Sequence, residues 1–355
     1  MSFMTSREAS VLWDISQRRV ANLCLEKRIE GARLAGNMWL IPSDAQKPEK
    51  SRSARFRPKT SATVKPFLKW AGGKAQILKN IRMKYPSGLG KTVTKYAEPF
   101  VGGGAVLFDI LSNYDVEQIY ISDVNRELIL TYQTVRNNID KLISYLCAFE
   151  NTYLSADKYE QKEIYYYNRA RFNAFKLKNS NSPELAALFI FLNRTCFNGL
   201  YRVNSKGEFN VPQGSYKNPC ICDEDNLREA SKRLQNVHII CGDYKESIKF
   251  IDKNTFAYFD PPYRPLTVSS SFTSYTQDGF DDKEQIDLAR FIDKLSEHGA
   301  FVIASNSDPK NTDGTDDFFD KLYARHKIFR ISASRAINSV GNGRGKITEL
   351  LITSY

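Results

Sequence analysis

The apolar positions of the first 46 residues recur with helical spacing and then alternate. Thr5 and Glu8 stand at capping-box separation, and Ala9, Leu12 and Trp13 follow on one face, which predicts a short helix ending near Asp14. Ser16 can cap a second helix over 17–28, with Val20, Leu23 and Cys24 as its apolar stripe and Gln17, Arg18, Arg19 and Asn22 facing outward. From Ala32 to Ile41 the pattern reads as two short strands around Gly36-Asn37. Beyond Val64 strands and helices alternate. Strands are expected at Thr94 to Ala97, Gln118 to Ile121, Val237 to Cys241, Ala257 to Phe259 and Ala300 to Ala304, with helices opening at Gly104 and Arg126. That alternation predicts an α/β fold on a parallel sheet. Between Ile139 and Leu234 it gives way to aromatic-rich helices and one Gly- and Asn-rich stretch, an insertion over about 140–235.

Charge changes this picture by marking one region. The 355 residues hold 51 Lys and Arg against 40 Asp and Glu, a net +11 that favours a polyanionic partner. Residues 1–66 carry thirteen basic and six acidic side chains, net +7, leaving +4 for the other 289. Two short helices, a basic second helix and a hairpin resemble a small winged helix-turn-helix of the excisionase or MerR type, which implies DNA contact through Gln17, Arg18 and Arg19. A plain helical cap with a basic face is the alternative. Residues 47–63 are a basic, Ser- and Pro-containing linker, dividing a 1–46 unit from a 64–355 domain. No window approaches the roughly 18 apolar residues of a membrane span, and the N-terminus lacks the layout of a signal peptide, so a cytoplasmic location is expected.

Cysteine and histidine offer little chemistry. Of six cysteines only Cys220 and Cys222 lie close, and the three histidines (238, 298, 326) are dispersed, so no metal and no Cys/His nucleophile are expected. The candidate chemistry lies instead in carboxylates, glycines, prolines and aromatics. Ala97-Glu-Pro-Phe-Val-Gly-Gly-Gly104 sits at a strand-to-helix turn where glycine lets a nucleotide-like ligand approach the backbone. Asp123, 21 residues after Gly102 at the next strand end, is placed for ribose hydroxyls. Leu107, where a dinucleotide loop would want a third glycine, disfavours a pyrophosphate ligand. Phe259-Asp-Pro-Pro-Tyr263 is the second piece. Pro261 and Pro262 stop the strand and set the Asp260 carboxylate beside the Pro261 carbonyl, two acceptors for a planar amine that could stack on Tyr263.

Six segments occur in an order that resembles the Dam-type DNA adenine methyltransferases, the alpha class of amino-group methyltransferases. They are PFLKWAGGK (66–74), AEPFVGGGAVLF (97–108), ISDVNRELI (121–129), LNRTCFNGLYRVNSKGEFNVP (192–212), IICGDY (239–244) and FDPPYRPL (259–266). The resemblance covers residue 65 to the C-terminus. It implies a Rossmann-like methyltransferase sheet with an inserted helical and β-hairpin target-recognition subdomain, S-adenosylmethionine as cofactor and duplex DNA as partner. It assigns Trp70 and Lys74 to the amino-acid end of the cofactor, and Phe100, Gly102 and Gly104 to the glycine loop. Asp123 would take the ribose, Asp243 and Tyr244 the adenine ring. Asp260, Pro261, Pro262 and Tyr263 form the catalytic motif, with Asp260 also bordering the cofactor.

The same resemblance makes 193–212 the reader of a GATC site, with base contacts at Leu200 and Arg202 and with Phe197 and Asn198 filling the vacated stack. Arg194 and Lys206 are divided between groove contact and simple phosphate neutralisation. Gln213 departs from the pattern, since relatives more often place an aromatic after the Val-Pro. Residues 264–282 are expected to close over the site, and Ser305-Asn306-Ser307 to border it or cap a strand. Pro219-Cys220 lies in a loop and is not read as a cytosine carbon-5 nucleophile. A cognate restriction endonuclease is a possible partner. Methylation of cytosine's amino group or of an RNA base, and a regulator with a vestigial catalytic fold, are the rival readings.

Overall fold

The computed structural model describes residues 2–13, 17–25, 29–35, 38–47, 64–264, 280–334 and 346–355. The expected Ser16 cap, the Gly36-Asn37 turn, most of the linker and residues 265–279 of the closing segment lie outside them. The chain divides into two compact units, Met1–Thr60 and Ser61–Tyr355.

In the first unit, β1 (Phe3–Thr5) leads into α1 (Ser6–Leu12), α2 (Gln17–Leu25), β2 (Arg33–Ala35) and β3 (Met38–Pro42). The Thr5–Glu8 capping box forms, with the Glu8 amide donating to Thr5 Oγ1 at 3.2 Å and the Thr5 amide to Glu8 Oε2 at 2.7 Å. The helix stops at Leu12, slightly before its expected end. β1 was not legible as a strand; it pairs antiparallel with β3 and gives the sheet order β1-β3-β2. Met4, Ala9, Trp13, Val20, Leu23, Cys24, Ile29 and Ile41 form its small core. Gln17 is exposed and its amide donates to Ser6 Oγ at 3.2 Å, tying α2 to α1.

The second unit carries α3 (Leu78–Arg82), β4 (Lys95–Glu98), α4 (Ala105–Asn113), β5 (Gln118–Asp123) and α5 (Arg126–Asn137). Then follow α6 (Ile139–Ser155), α7 (Lys158–Leu177), α8 (Pro183–Thr195), α9 (Glu224–Arg233) and β6 (Val237–Cys241). β7 (Thr255–Phe259), α10 (Asp282–Glu297), β8 (Phe301–Ser307), α11 (Phe318–Leu322), β9 (Lys327–Ser334) and β10 (Lys346–Thr353) complete it. Seven strands form one mixed sheet in the order β6-β5-β4-β7-β8-β10-β9. The first five are parallel, but β10 runs antiparallel to both β8 and β9, which corrects the expectation of a parallel sheet to a mostly parallel one. Every residue of β7 is buried, as a sheet covered on both faces requires.

This topology places a site. From β4 the chain builds outward to β5 and β6, then returns to add β7 on the other side of β4, so the strand order reverses between β4 and β7. In open α/β sheets ligands bind at that reversal, beyond the carboxyl ends of the strands. The β4 end feeds the glycine loop and the β7 end feeds Asp260. Between β5 and β6 the helices α5, α6 and α7 pack on α8, whose Leu185 to Leu192 run is buried throughout and whose start is fixed by the Ser182 cap and Pro183, while α9 packs on α5 and α6.

Candidate active site

Leaving β7, the chain meets two prolines that can continue neither strand nor helix, and Asp260 is left facing the crevice with a fifth of its side chain exposed. Lys74, from a short 3-10 turn at Lys74–Gln76, is 3% exposed, and its Nζ lies 2.9 Å from Asp260 Oδ1. The same ammonium donates to the Gly72 carbonyl and stands 4.7 Å from the centroid of the Tyr263 ring. Ser305, on β8, donates to Asp260 Oδ1 at 2.8 Å and is itself 2.9 Å from the Tyr258 hydroxyl. The Pro262 carbonyl accepts from Gln285 at 3.1 Å, and Gln285 in turn accepts from Asn306 at 3.0 Å. Tyr263 donates to Glu349 Oε2 at 2.7 Å. Polar groups from four separate elements therefore hold this turn.

The glycine loop curls above β4. Gly102 and Gly104 have φ of 47° and 71°, and a Cβ on Gly102 would stand 2.8 Å from Trp70 Cδ1, so neither position accommodates a side chain. The Gly102 amide donates to Asp123 Oδ2 at 3.2 Å and the Asn125 amide to Oδ1 at 2.9 Å. Burial pushes the Asp123 carboxyl up to about 6, the backbone donors opposing it, although part of the residue still meets solvent. Phe100 stacks on Tyr244 at 5.3 Å, with Phe280 edge-on at 5.8 Å, while Asp243 caps the turn after β6 through the Lys245 amide at 2.8 Å. The Tyr244 hydroxyl is buried and, among the described residues, has no hydrogen-bond partner.

Glu98 extends the charged cluster inward. It is 2% exposed and accepts from the Tyr96 hydroxyl at 2.7 Å. Burial pushes its carboxyl up to about 8, with the Tyr96 bond opposing and the Asp260 charge adding. The folded chain thus keeps a proton that the unfolded chain releases near the ordinary glutamate range, so folding stability falls as pH rises from about 5 to about 8. One retained proton gives at most about 1.4 kcal/mol per pH unit. Glu98→Gln should therefore flatten the dependence of melting temperature on pH across that window. Unchanged pH dependence in Glu98→Gln would place the proton elsewhere.

The 193–214 stretch forms an irregular antiparallel ribbon rather than two regular strands. Its pairing is confined to two isolated bridges, Val203–Phe209 and Cys196–Gln213, with the Asn204 amide donating to the Glu208 carbonyl at 2.9 Å and the Asn210 amide to the Arg202 carbonyl at 3.1 Å. Gln213, the unusual residue at its base, bridges Cys196 and donates to the Tyr153 hydroxyl at 2.7 Å, so the amide supplies a closure of its own. Asn193 is buried and ties the ribbon to the 66–74 segment, exchanging hydrogen bonds of 2.8 and 2.7 Å with Lys69. Trp70 stacks on Tyr201 at 6.0 Å.

Of the expected DNA-contacting residues, Phe197, Asn198, Arg202 and Lys206 are exposed; Asn198 has φ of 55°, and Arg202 Nε bonds Asn210 Oδ1 at 2.8 Å across the ribbon. Leu200 is half-buried against the core. Arg194 differs, since burial lowers its pKa and one of its guanidinium nitrogens donates to the Phe67 carbonyl at 2.8 Å. It ties α8 to the 64–70 segment. For Arg18 and Arg19 only the backbone of α2 is described.

A cavity of about 570 Å³ lies between the start of α5 and the ribbon, bordered by Val124, Arg126, Glu127, Lys176, Tyr201 and Lys206. It adjoins the end of β5 and is distinct from the Asp260 turn. Cys222 lies with its sulfur 3.5 Å from that of Cys147, and among the described residues no cluster of metal-ligating side chains occurs. Nor is any helix among them long and apolar enough to cross a membrane. Glu98, Gln285 and Glu349 were not anticipated. Glu98 sits inside the quoted AEPF segment, whereas Glu349 is signalled only as a lone carboxylate in the apolar run ITELLIT.

The seven-strand sheet, with a glycine loop and an Asp-Pro-Pro-Tyr turn meeting where its order reverses, is the build of a Rossmann-like methyltransferase acting on an amino group. Residues 70–337 match the D12 class of N6 adenine-specific DNA methyltransferases, and the chain belongs to that family. It is 50% identical over 294 residues to the type II methyltransferase M.MjaIII of Methanocaldococcus jannaschii, covering 82% of this chain and 99% of that protein. Identity to the type II methyltransferase M1.LlaDCHI of Lactococcus lactis subsp. cremoris is 36% over 299 residues, 84% of this chain and 98% of that one. The DNA adenine methylase of Escherichia coli K12 is 35% identical over 285 residues, 80% of this chain and 93% of that one. Enzymes of this class take their methyl group from S-adenosylmethionine and act on DNA.

The residues present fit that cofactor. A glycine turn without room for a Cβ, a strand-end carboxylate and a buried tyrosine hydroxyl with no partner among the described residues suit a ligand with backbone-accessible, diol and heteroaromatic parts.

Proposed function

We propose that this enzyme methylates the exocyclic amino group of adenine in GATC duplex sites, extruding the base from the helix before transfer. The observation that carries this reading is the Lys74–Asp260–Tyr263 arrangement. A buried ammonium 2.9 Å from Asp260 and 4.7 Å from the Tyr263 ring centroid shows that a nitrogen donor can meet the carboxylate and an aromatic face together. In the proposed complex Lys74 and Trp70 hold the amino-acid end of S-adenosylmethionine. Phe100, Gly102 and Gly104 line its path, Asp123 takes the ribose hydroxyls, and Asp243 and Tyr244 flank its adenine. When bound, the cofactor supplies an electrophilic sulfonium methyl. Asp260 and the Pro261 carbonyl accept the two amino hydrogens of the target, draw the nitrogen lone pair out of conjugation and aim it along the transfer axis. Pro262 holds the turn through Gln285, and Tyr263 stacks on the extruded base, offsetting part of the few kcal/mol that unstacking costs.

Recognition falls to the ribbon, with Leu200 and Arg202 contacting bases, Phe197 and Asn198 occupying the vacated stack, and Lys206 and Arg194 meeting phosphates. Support comes from the exposed side of the ribbon and from the resemblance to a DNA adenine methylase. The 1–46 unit adds duplex affinity as a winged helix-turn-helix through Gln17, Arg18 and Arg19, a reading supported by its two helices and three-stranded sheet and by the basic linker that follows it. The relatives named as type II methyltransferases support a cognate restriction endonuclease as a partner in the cell.

Incubation with duplexes and labelled cofactor, digestion to nucleosides, and challenge with a nuclease blocked by GATC methylation test the proposal. N6-methyladenine and full protection are expected. Methylated cytosine as the sole product would remove the adenine assignment, and N6-methyladenine without protection would remove GATC.

A further inference from the structure

We infer that Glu349 is a positioning residue for methyl transfer, holding the Tyr263 ring at the angle on which the target base stacks. The inference rests on the proposed role of Tyr263. A stacking platform works only if its tilt is defined, because the base it carries must present one nitrogen along a fixed line. The backbone defines one end of the Tyr263 ring through the two prolines before it. The other end is its hydroxyl, which reaches β10 and donates to Glu349 Oε2 at 2.7 Å. Among the described residues, that hydroxyl is the carboxylate's only hydrogen-bond partner.

The anchor is stiff. Glu349 pairs with Ser307 of β8 and with Ile331 of β9, so its backbone lies inside the sheet. The backbone of Thr348, its neighbour, exchanges hydrogen bonds of 2.9 and 2.7 Å with the Asn311 side chain. Burial and the nearby Asp260 and Glu349 charges push the Tyr263 hydroxyl well above its usual range, which keeps it protonated and able to donate. Ser305 does for the Asp260 carboxylate what Glu349 does for the ring, at 2.8 Å from β8. Both elements of the amine site are thereby fixed by the half of the sheet beyond β7, away from the cofactor-facing strands β4 and β5. Loss of this bond should disturb the geometry of transfer without weakening either ligand. A purely structural glutamate would alter stability instead.

The test is a double-mutant cycle in the full-length enzyme, using steady-state methylation, cofactor affinity and thermal melting. Glu349→Ala and Tyr263→Phe are each expected to lower kcat about tenfold, the worth of one hydrogen bond to a charged group. KM for duplex and Kd for S-adenosylmethionine should stay within about twofold, since neither ligand touches Glu349. The double variant should be no slower than either single one, and Glu349→Gln, which retains an acceptor oxygen, should recover most of the rate. Multiplying losses in the double variant, an unchanged kcat in Glu349→Ala, or a loss that follows melting temperature and cofactor affinity would each overturn the assignment. Asp260→Ala in the same assay, which removes the acceptor, distinguishes a misplaced amine site from a misplaced anchor. If it remains active the amine site itself is misplaced; if it is inactive while Glu349→Ala is unimpaired, only the anchor is wrong.

Discussion

Asp260→Ala is expected to lower methyl transfer by about a thousandfold or more while duplex affinity stays within a few fold. A group that touches the reacting nitrogen contributes to the transition state, and losses of about 100- to 1,000-fold accompany removal of a single such preorganised group. Here two further effects add. Lys74, 3% exposed, would lose its ion-pair partner, and Ser305 would lose its acceptor. An ammonium left unpaired in that position is costly, so the alanine variant should also melt lower. Asp260→Asn keeps the volume and an acceptor oxygen and isolates the chemical contribution. Single-turnover transfer with a duplex, together with an anisotropy titration, measures both quantities. Transfer at the wild-type rate in Asp260→Asn would limit the side chain to its acceptor oxygen, and transfer at that rate in Asp260→Ala would exclude it from the reaction.

Deleting residues 1–60 is the second large change. That segment holds twelve Lys and Arg against six Asp and Glu, so it carries +6 of the +11 net charge. It precedes the region matched to the methyltransferase family, which begins at residue 70. Each phosphate that the shortened enzyme no longer neutralises should reduce the slope of log affinity against log salt by about 0.9. With two or three such phosphates, duplex affinity at low salt should fall roughly ten- to a hundredfold, and kcat at saturating duplex should not change. Titrations at several salt concentrations give both the affinity and the slope. An unaltered slope would show that this charge does not meet DNA and that the unit serves another partner.

Local patterns were legible where a short stretch decides its own structure. The Thr5–Glu8 capping box forms as its spacing demands, and β6 occupies Val237–Cys241, the residues of the apolar run. The Asp-Pro-Pro-Tyr turn was readable because proline ends a strand wherever it stands. β9 and β10 were not foreseen, and neither was the reversal of direction that β10 introduces, because the direction of pairing belongs to the partner strand. The ribbon shows the same boundary. Its turn residues were visible, but a ladder of few bonds appears only when it packs on α7 and α8. Arg194 reads in sequence like its basic neighbours, and only the approach of the Phe67 carbonyl turns it inward.

The sequence by itself determined the reaction class. Six motifs in order specify which functional groups the chain must bring to an amino-group methyl transfer, and glycine, proline and carboxylate at those spacings carry a chemistry that needs no knowledge of distant contacts. Tertiary structure alone decided how those groups are held. Lys74 meets Asp260 across 186 positions of sequence, Ser305 approaches from β8, and Glu349 reaches Tyr263 from the last strand of the chain. The physical reason is range. Capping, turn formation and strand breaking act over a few residues, whereas orientation of a reacting group depends on hydrogen bonds between elements whose meeting is set by the order of strands in the sheet.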